Sequence, residues 1–107
     1  MDIAVNTKAT TVLAPLRTRL THQIKNSLGR FSERLKRVEI FVEDVNGPKG
    51  GDDKACRLVA VPHRMPTIVI RERGGNIRQA VGNATARAKR TLLERLNHRA
   101  KRKAGRN

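Results

Sequence analysis

The spacing of apolar residues changes twice along this chain, and those changes restrict the folds it can adopt. Between residues 12 and 28 the apolar side chains follow steps of three and four, which is typical of a helix with one buried stripe. Three later runs alternate or are short and apolar, and they predict strands at residues 37–44, 55–61 and 67–71. After Gly75 the helical spacing returns and predicts a long second helix.

An opening strand at residues 3–5 completes the order β-α-β-β-β-α. Residues 46–53 are rich in Gly, Asn, Asp and Pro, so they predict a turn between two antiparallel strands. We therefore expect an α+β two-layer sandwich, with both helices on one face of an antiparallel-rich, four-stranded sheet. A length of 107 residues predicts one domain over residues 1–100 and a basic, frayed tail over residues 101–107.

Charge is the strongest feature of the composition. The chain carries 24 Lys and Arg against 9 Asp and Glu, a formal net charge of +15 at pH 7. Such a charge favours a polyanionic partner, because phosphates relieve the self-repulsion and release their counterions on binding. The acids concentrate in the middle strands and their turn, which predicts a basic helical side and a more acidic sheet side. A membrane partner is disfavoured, because neither helix has an aromatic anchor opposite its basic face.

The basic residues of the second helix form a candidate phosphate-binding row. At 100° per residue, Arg87, Arg90 and Lys101 point away from the apolar stripe, and Arg78 and Lys89 flank it. A merely solvated face is the alternative, but such a face usually mixes both signs, and acidic partners at i, i+4 are nearly absent here. The candidate RNA-binding residues of the two helical regions are Lys25, Arg30, Arg78, Arg87, Lys89, Arg90, Arg95, Arg99, Lys101 and Arg102.

The sequence lacks the residues that usually stack on nucleic-acid bases and those that usually carry out catalysis. Phe31 and Phe41 are the only candidates for stacking and fit packing roles, so recognition by shape and phosphate geometry is expected. The three histidines follow no ligand spacing, and Cys56 has the mid-strand position of a small buried hydrophobe. The glycine-rich turn lacks the Lys-Ser/Thr ending of a phosphate loop. We predict a non-enzyme with no metal, cofactor or small-molecule substrate.

The hairpin carries a specific resemblance. Residues 38–58 resemble the hairpin of the ribosome hibernation-promoting factor family, in which an acidic-Asn-Gly turn is followed by the pattern Lys-Gly-Gly-x-Asp-Lys-x-Cys, here running from Lys49 to Cys56. The order and length of the remaining segments are also similar. The resemblance implies a fold like that of double-stranded RNA-binding domains. It also implies binding in the messenger and transfer RNA channel of the small ribosomal subunit, which inhibits translation or stabilises idle ribosomes during stress.

The same resemblance implies the small subunit and its ribosomal RNA as partners, and it points to Arg87 and Arg90, where family members commonly carry Lys or Arg. We expect a monomer when free, and a cytoplasmic location that also agrees with the single cysteine. The chain departs from the family at the final helix, which lacks the typical opening Asp-x-Tyr-x-Ala-Ile-Asp and contains Gly82. Two alternatives remain open: a general structured-RNA or DNA-binding module of the same fold, and a regulatory protein-interaction domain.

Overall fold

A computed structural model describes residues 1–8, 14–44 and 54–104 of the chain, the last six of them as helical backbone. The elements in chain order are β1 (Asp2–Lys8), α1 (Ala14–Leu28), a 3-10 helix (Gly29–Arg34), β2 (Leu35–Asp44), β3 (Lys54–Pro62), β4 (Ile68–Gly74) and α2 (Ile77–Ala104). The predicted β-α-β-β-β-α order and α+β class are therefore confirmed. The residues of the predicted turn, 46–53, lie outside the described part of the chain, as do residues 105–107.

The four described strands form one sheet in the order β1-β2-β3-β4. β1 pairs with β2 in parallel, with Val5 opposite Ile40, because α1 carries the chain back before β2 begins. The β2–β3 and β3–β4 pairs are antiparallel, with Ile40 opposite Leu58 and Leu58 opposite Ile70. The prediction of an antiparallel-rich sheet is confirmed.

The core lies between one face of this sheet and the two helices. The alternation predicted for β2 is observed: Val38, Ile40 and Val42 are buried, whereas the residues between them remain partly exposed. Both helices cover this same face, as expected. Their buried residues are Leu20, Ile24 and Leu28 of α1 and Ala80, Val81, Ala84, Ala88 and Leu92 of α2.

Two element boundaries differ from the predicted ones. β1 runs over Asp2–Lys8 and not just residues 3–5, because pairing with β2 extends the strand through polar residues that give no apolar signal. Gly29 ends α1 as predicted, but the chain then continues as a 3-10 helix over Gly29–Arg34. Phe31 in this segment is 3% exposed, so its hydrophobic burial stabilises the 3-10 helix. The spacing of apolar residues in the sequence does not predict this helix.

The start of α2 is capped by its own side chains. Asn76 Oδ1 accepts a 2.8 Å hydrogen bond from the Gln79 backbone N–H, and Gln79 Oε1 accepts a 2.6 Å bond from the Gly75 N–H. This reciprocal pair satisfies backbone donors that a helix start would otherwise leave free. Asn76 and Gln79 thus supply a helix start of a different kind from the family's acidic and aromatic opening.

Cys56 lies on the inner face of β3 and is 1% exposed. Desolvation by burial raises the pKa of its thiol to about 12. Because the thiolate is the reactive species, both the raised pKa and the lack of access suppress its chemistry. The expected packing role of this cysteine agrees with its position.

We expect the Cys56 thiol to resist a disulfide reagent such as Ellman's reagent in the native protein. Reaction then requires unfolding, so the native rate is expected to be at least about 1,000-fold below that of the denatured chain. The measurement is the rate of thionitrobenzoate release with and without denaturant. Rapid labelling of the native protein at neutral pH would contradict the buried position of the Cys56 side chain on β3.

Candidate RNA-binding surface

The cations of α2 divide between two flanks of the helix. Residues 78, 82 and 89 lie within about 40° of one another around the helix axis, so they form one stripe. Gln23 of α1 packs against this stripe, since its Nε2 donates a 3.1 Å hydrogen bond to the Arg78 carbonyl. Arg78 and Lys89 therefore lie on the flank of α2 that faces α1, which we call the α1 flank.

Gly82 lies on the α1 flank where the two helices meet. A Cβ atom added to Gly82 would stand 3.2 Å from Gln23 Nε2, closer than side chains ordinarily approach. The glycine thus makes room for the Gln23 amide and its bond to α2. A glycine inside a helix lowers the helix propensity. At Gly82 this loss is found at a position where the two helices pack closely.

The opposite flank of α2 contacts the edge of the sheet, and we call it the β4 flank. Asn83 Nδ2 donates a 2.9 Å hydrogen bond to the Arg73 carbonyl, and Arg87 Nη1 donates a 3.3 Å bond to the Arg71 carbonyl. Arg87 also forms a 3.0 Å ion pair with Glu72. These side chains occupy backbone acceptors of β4 that would otherwise be open to another strand.

Arg90 lies on the β4 flank, seven residues after Asn83, and Glu94 follows it by one helical turn. The β4 flank thus combines two arginines with Glu72 and Glu94, whereas Arg78 and Lys89 on the α1 flank form no ion pair within the described residues. The single row predicted from the sequence is therefore split into a flank with acidic neighbours and a flank without them.

The remaining predicted residues lie at several places. Lys25 is exposed on the side of α1 away from α2, two residues after Gln23. The Arg30 guanidinium lies 5.4 Å from the centroid of the Phe31 ring. Arg95 donates a 2.9 Å hydrogen bond to the Pro66 carbonyl and so joins α2 to the β3–β4 connection. Arg99, Lys101 and Arg102 lie outside the residues whose side chains the structure describes.

Sequence reasoning missed Arg19. It lies one helical turn before Gln23, so it shares the side of α1 that faces α2, and it is exposed. The signal was available, because α1 (Ala14–Leu28) contains no acidic residue at all. Arg19, Arg78 and Lys89 together line the junction of the two helices, and we call these three residues the helix-junction cations.

The outer face of the sheet corrects the expectation of an acidic sheet side. Glu39 and Glu43 do face outward on β2, and Glu39 forms a 2.7 Å ion pair with Arg37. The outward positions of β3 and β4, however, carry three exposed arginines and no acid: Arg57, Arg71 and Arg73. The strands were predicted correctly, but the alternation of their side chains distributes the charges so that only the β1–β2 half carries acids.

The described residues contain no group of three or more His, Cys, Asp or Glu side chains that could hold a metal ion. No helix in the described part of the chain is both long enough and apolar enough to cross a bilayer.

Comparison with known proteins identifies the fold. No family model matches the chain, and no curated protein sequence matches it. The N-terminal domain of Protein Y from Thermus thermophilus superposes with a TM-score of 0.70 at 13% identity, covering 90% of this chain and 99% of that one. A ribosomal subunit interface protein from Coxiella burnetii gives 0.70 at 14% identity, covering 91% and 99%. The chain therefore has the fold of these two proteins, as the resemblance of its hairpin to the hibernation-promoting factors implied.

Proposed function

We propose that this protein is a ribosome hibernation-promoting factor. It binds the small ribosomal subunit in the messenger and transfer RNA channel and thereby inhibits translation or stabilises idle ribosomes. The observation that carries the proposal is the acid-free junction of α1 and α2, with its three cations, on a fold shared with a ribosomal subunit interface protein. The protein acts in the cytoplasm, where ribosomes are found.

The helix-junction cations supply the central contact. Arg19, Arg78 and Lys89 come from two helices that pack together and are joined by the Gln23 bond, so the fold sets the spacing of their backbone positions before RNA arrives. Preorganised cations lose less side-chain freedom on binding phosphates than cations on a mobile segment. Arg87, Arg90 and Lys25 extend the positive surface on either side.

The recognition is by phosphate geometry and shape. Phe31 is buried and the Phe41 ring is covered by the Arg57 guanidinium at 4.2 Å, so neither described ring is free to stack on a base. Folded RNA with closely spaced phosphates suits such a surface. Inhibition follows from occupying the channel, and it requires no bond to be made or broken.

A second candidate function is a general binder of structured RNA. It is favoured by the same lack of a free aromatic platform, because phosphate contacts alone do not distinguish ribosomal RNA from other folded RNA. A regulatory protein-interaction domain would instead need a partner with an acidic surface complementary to the helix junction.

Co-sedimentation with purified small ribosomal subunits separates these functions. The protein is centrifuged with subunits through a sucrose cushion at low and moderately high salt, with excess duplex RNA as competitor. We expect it to remain on the small subunit despite the competitor, because a shaped channel contacts more of its surface than a free duplex can. Transfer to the duplex would favour the general RNA binder, and binding to neither would remove both.

A further inference from the structure

The outer face of the sheet carries an arrangement of arginines that the helical surface does not explain. Arg57 of β3 lies directly opposite Arg71 of β4, and Arg73 follows Arg71 on the same face. Side chains directly opposite each other on antiparallel strands have Cβ atoms roughly 5 Å apart, and like charges in such pairs destabilise the sheet. All three arginines are exposed.

None of these three arginines has an acidic partner within the described residues. The ion pairs found there join Arg37 to Glu39, Lys54 to Asp44 and Arg87 to Glu72. Glu72 lies between Arg71 and Arg73 along β4, but its side chain turns to the opposite side and pairs with α2. No carboxylate among the described residues therefore compensates the repulsion between Arg57 and Arg71.

The Arg57 guanidinium contacts an aromatic ring on the neighbouring strand β2. It lies 4.2 Å from the centroid of the Phe41 ring, its cross-strand neighbour on β2. Arg57 is exposed despite this cation–π contact, so a ligand can still reach it. A guanidinium fixed in this way presents paired N–H donors that match the oxygens of a phosphate.

We propose that Arg57, Arg71 and Arg73 form a second RNA-binding surface, which we call the sheet arginines, and that the protein is held between two segments of ribosomal RNA. The helices contact one segment and the sheet arginines contact the phosphates of another on the opposite side. The inference rests on the proposed function for the identity of the polyanion. A second copy of this chain is a poor occupant, because its own sheet arginines would face these.

The neighbouring surface agrees with a backbone contact. Val69, 48% exposed, lies on the same face as the sheet arginines, where β3 contributes Val59 opposite it. These valines offer an apolar floor for ribose, and the arginines in the next two rows of the same face contact the adjoining phosphates. The acidic residues of the outer face lie on β1 and β2 and repel phosphates. The RNA strand is therefore expected to lie along β3 and β4.

A bridging assay tests the two surfaces separately. One duplex RNA of about 16 base pairs, near the length that a domain of this shape spans, is fixed to beads, and a fluorescent copy is free in solution. Direct binding of a single duplex is measured in parallel by fluorescence anisotropy. We expect the wild type to retain the free duplex on the beads, because each molecule holds two.

The variant R57Q/R71Q is expected to lower bridging at least about tenfold while changing single-duplex affinity less than about threefold, because the helical surface remains. The matched variant R34Q/R37Q removes the same charge from exposed positions outside the sheet arginines and is expected to bridge normally. The variant R78E/K89E is expected to lose single-duplex binding at low protein concentration. Melting curves establish that each variant is folded.

Each outcome decides between the proposals. Unchanged bridging in R57Q/R71Q, or an equal loss in R34Q/R37Q, would overturn the second surface and leave the helical one standing. Normal single-duplex binding in R78E/K89E would overturn the helical surface, and loss of bridging in R57Q/R71Q would still support the sheet arginines. No duplex binding by the wild type would overturn the sheet arginines as a second RNA-binding surface, whereas the proposed function is decided by co-sedimentation with the small subunit. Binding of labelled poly-glutamate but not RNA through Arg57 and Arg71 would replace RNA with an acidic protein.

Discussion

Replacing Gly74 with Ala is expected to destabilise the fold by about 3 kcal/mol, the upper part of the range for overpacking a closely packed site. Gly74 is buried at the end of β4, directly before α2. An added Cβ would lie 2.5 Å from the Ala80 nitrogen and 3.0 Å from the Ala80 Cα atom, which are backbone atoms of the first turn of α2. Because backbone cannot rotate aside, β4 and α2 must separate.

Thermal unfolding followed by circular dichroism measures this effect, and a loss of that size lowers Tm by more than about 10 °C in a domain of this length. Gly29→Ala is the matched control, since an added Cβ at Gly29 meets nothing within 4 Å. It is expected to change Tm by no more than a few degrees, because alanine at this position mainly lowers the conformational entropy of the unfolded chain. Equal melting of Gly74→Ala and wild type would show that α2 does not start against β4 as described.

Reversing the charges of the α1 flank is expected to weaken binding to the small ribosomal subunit by roughly 100-fold at about 0.1 M salt, because two phosphate contacts become repulsive. The variant is R78E/K89E. Both residues are free of ion pairs within the described part of the chain, so their reversal removes no described salt bridge. Affinity is measured by titrating labelled protein with purified subunits over a range of salt concentrations.

The control for this change lies on the same helix. The variant R87E/R90E alters the net charge by the same amount on the β4 flank, where Arg87 already pairs with Glu72. We expect a roughly tenfold loss of affinity from long-range charge, together with a lower Tm, because the carboxylate introduced at position 87 would repel Glu72. If R87E/R90E instead lost more affinity than R78E/K89E, the centre of the contact would lie on the β4 flank.

The contrast between these two variants shows where sequence reasoning reaches its limit. The helical period correctly separated the buried stripe of α2 from its exposed cations. It contained no information about the neighbour of each flank, so Arg78 and Arg87 were placed in one and the same predicted row. Only tertiary packing distinguishes them, because α2 lies between α1 on one side and the β4 edge on the other.

The sheet presents the same limit in another form. Alternation predicted which residues of β2 face inward, and the apolar spacing predicted the order of the elements but not the order of the strands in the sheet. Arg57 and Arg71 are 14 positions apart and became neighbours only through the register of β3 and β4. The sequence showed only that Gly74 precedes the second helix, whereas its requirement for glycine comes from the backbone of α2, six residues further along the chain.

The parallel pairing of β1 with β2 also constrains the order in which the chain acquires its structure. β1 is synthesised first, yet its partner follows only after α1 and the 3-10 helix, whereas β2, β3 and β4 are joined as successive neighbours. Pairings between segments close in sequence require less loop-closure entropy and form sooner. The nascent chain is therefore expected to carry β1 unpaired until the meander beside it has formed, so the strand of this sheet that leaves the ribosome first is among the last to be fixed in the fold.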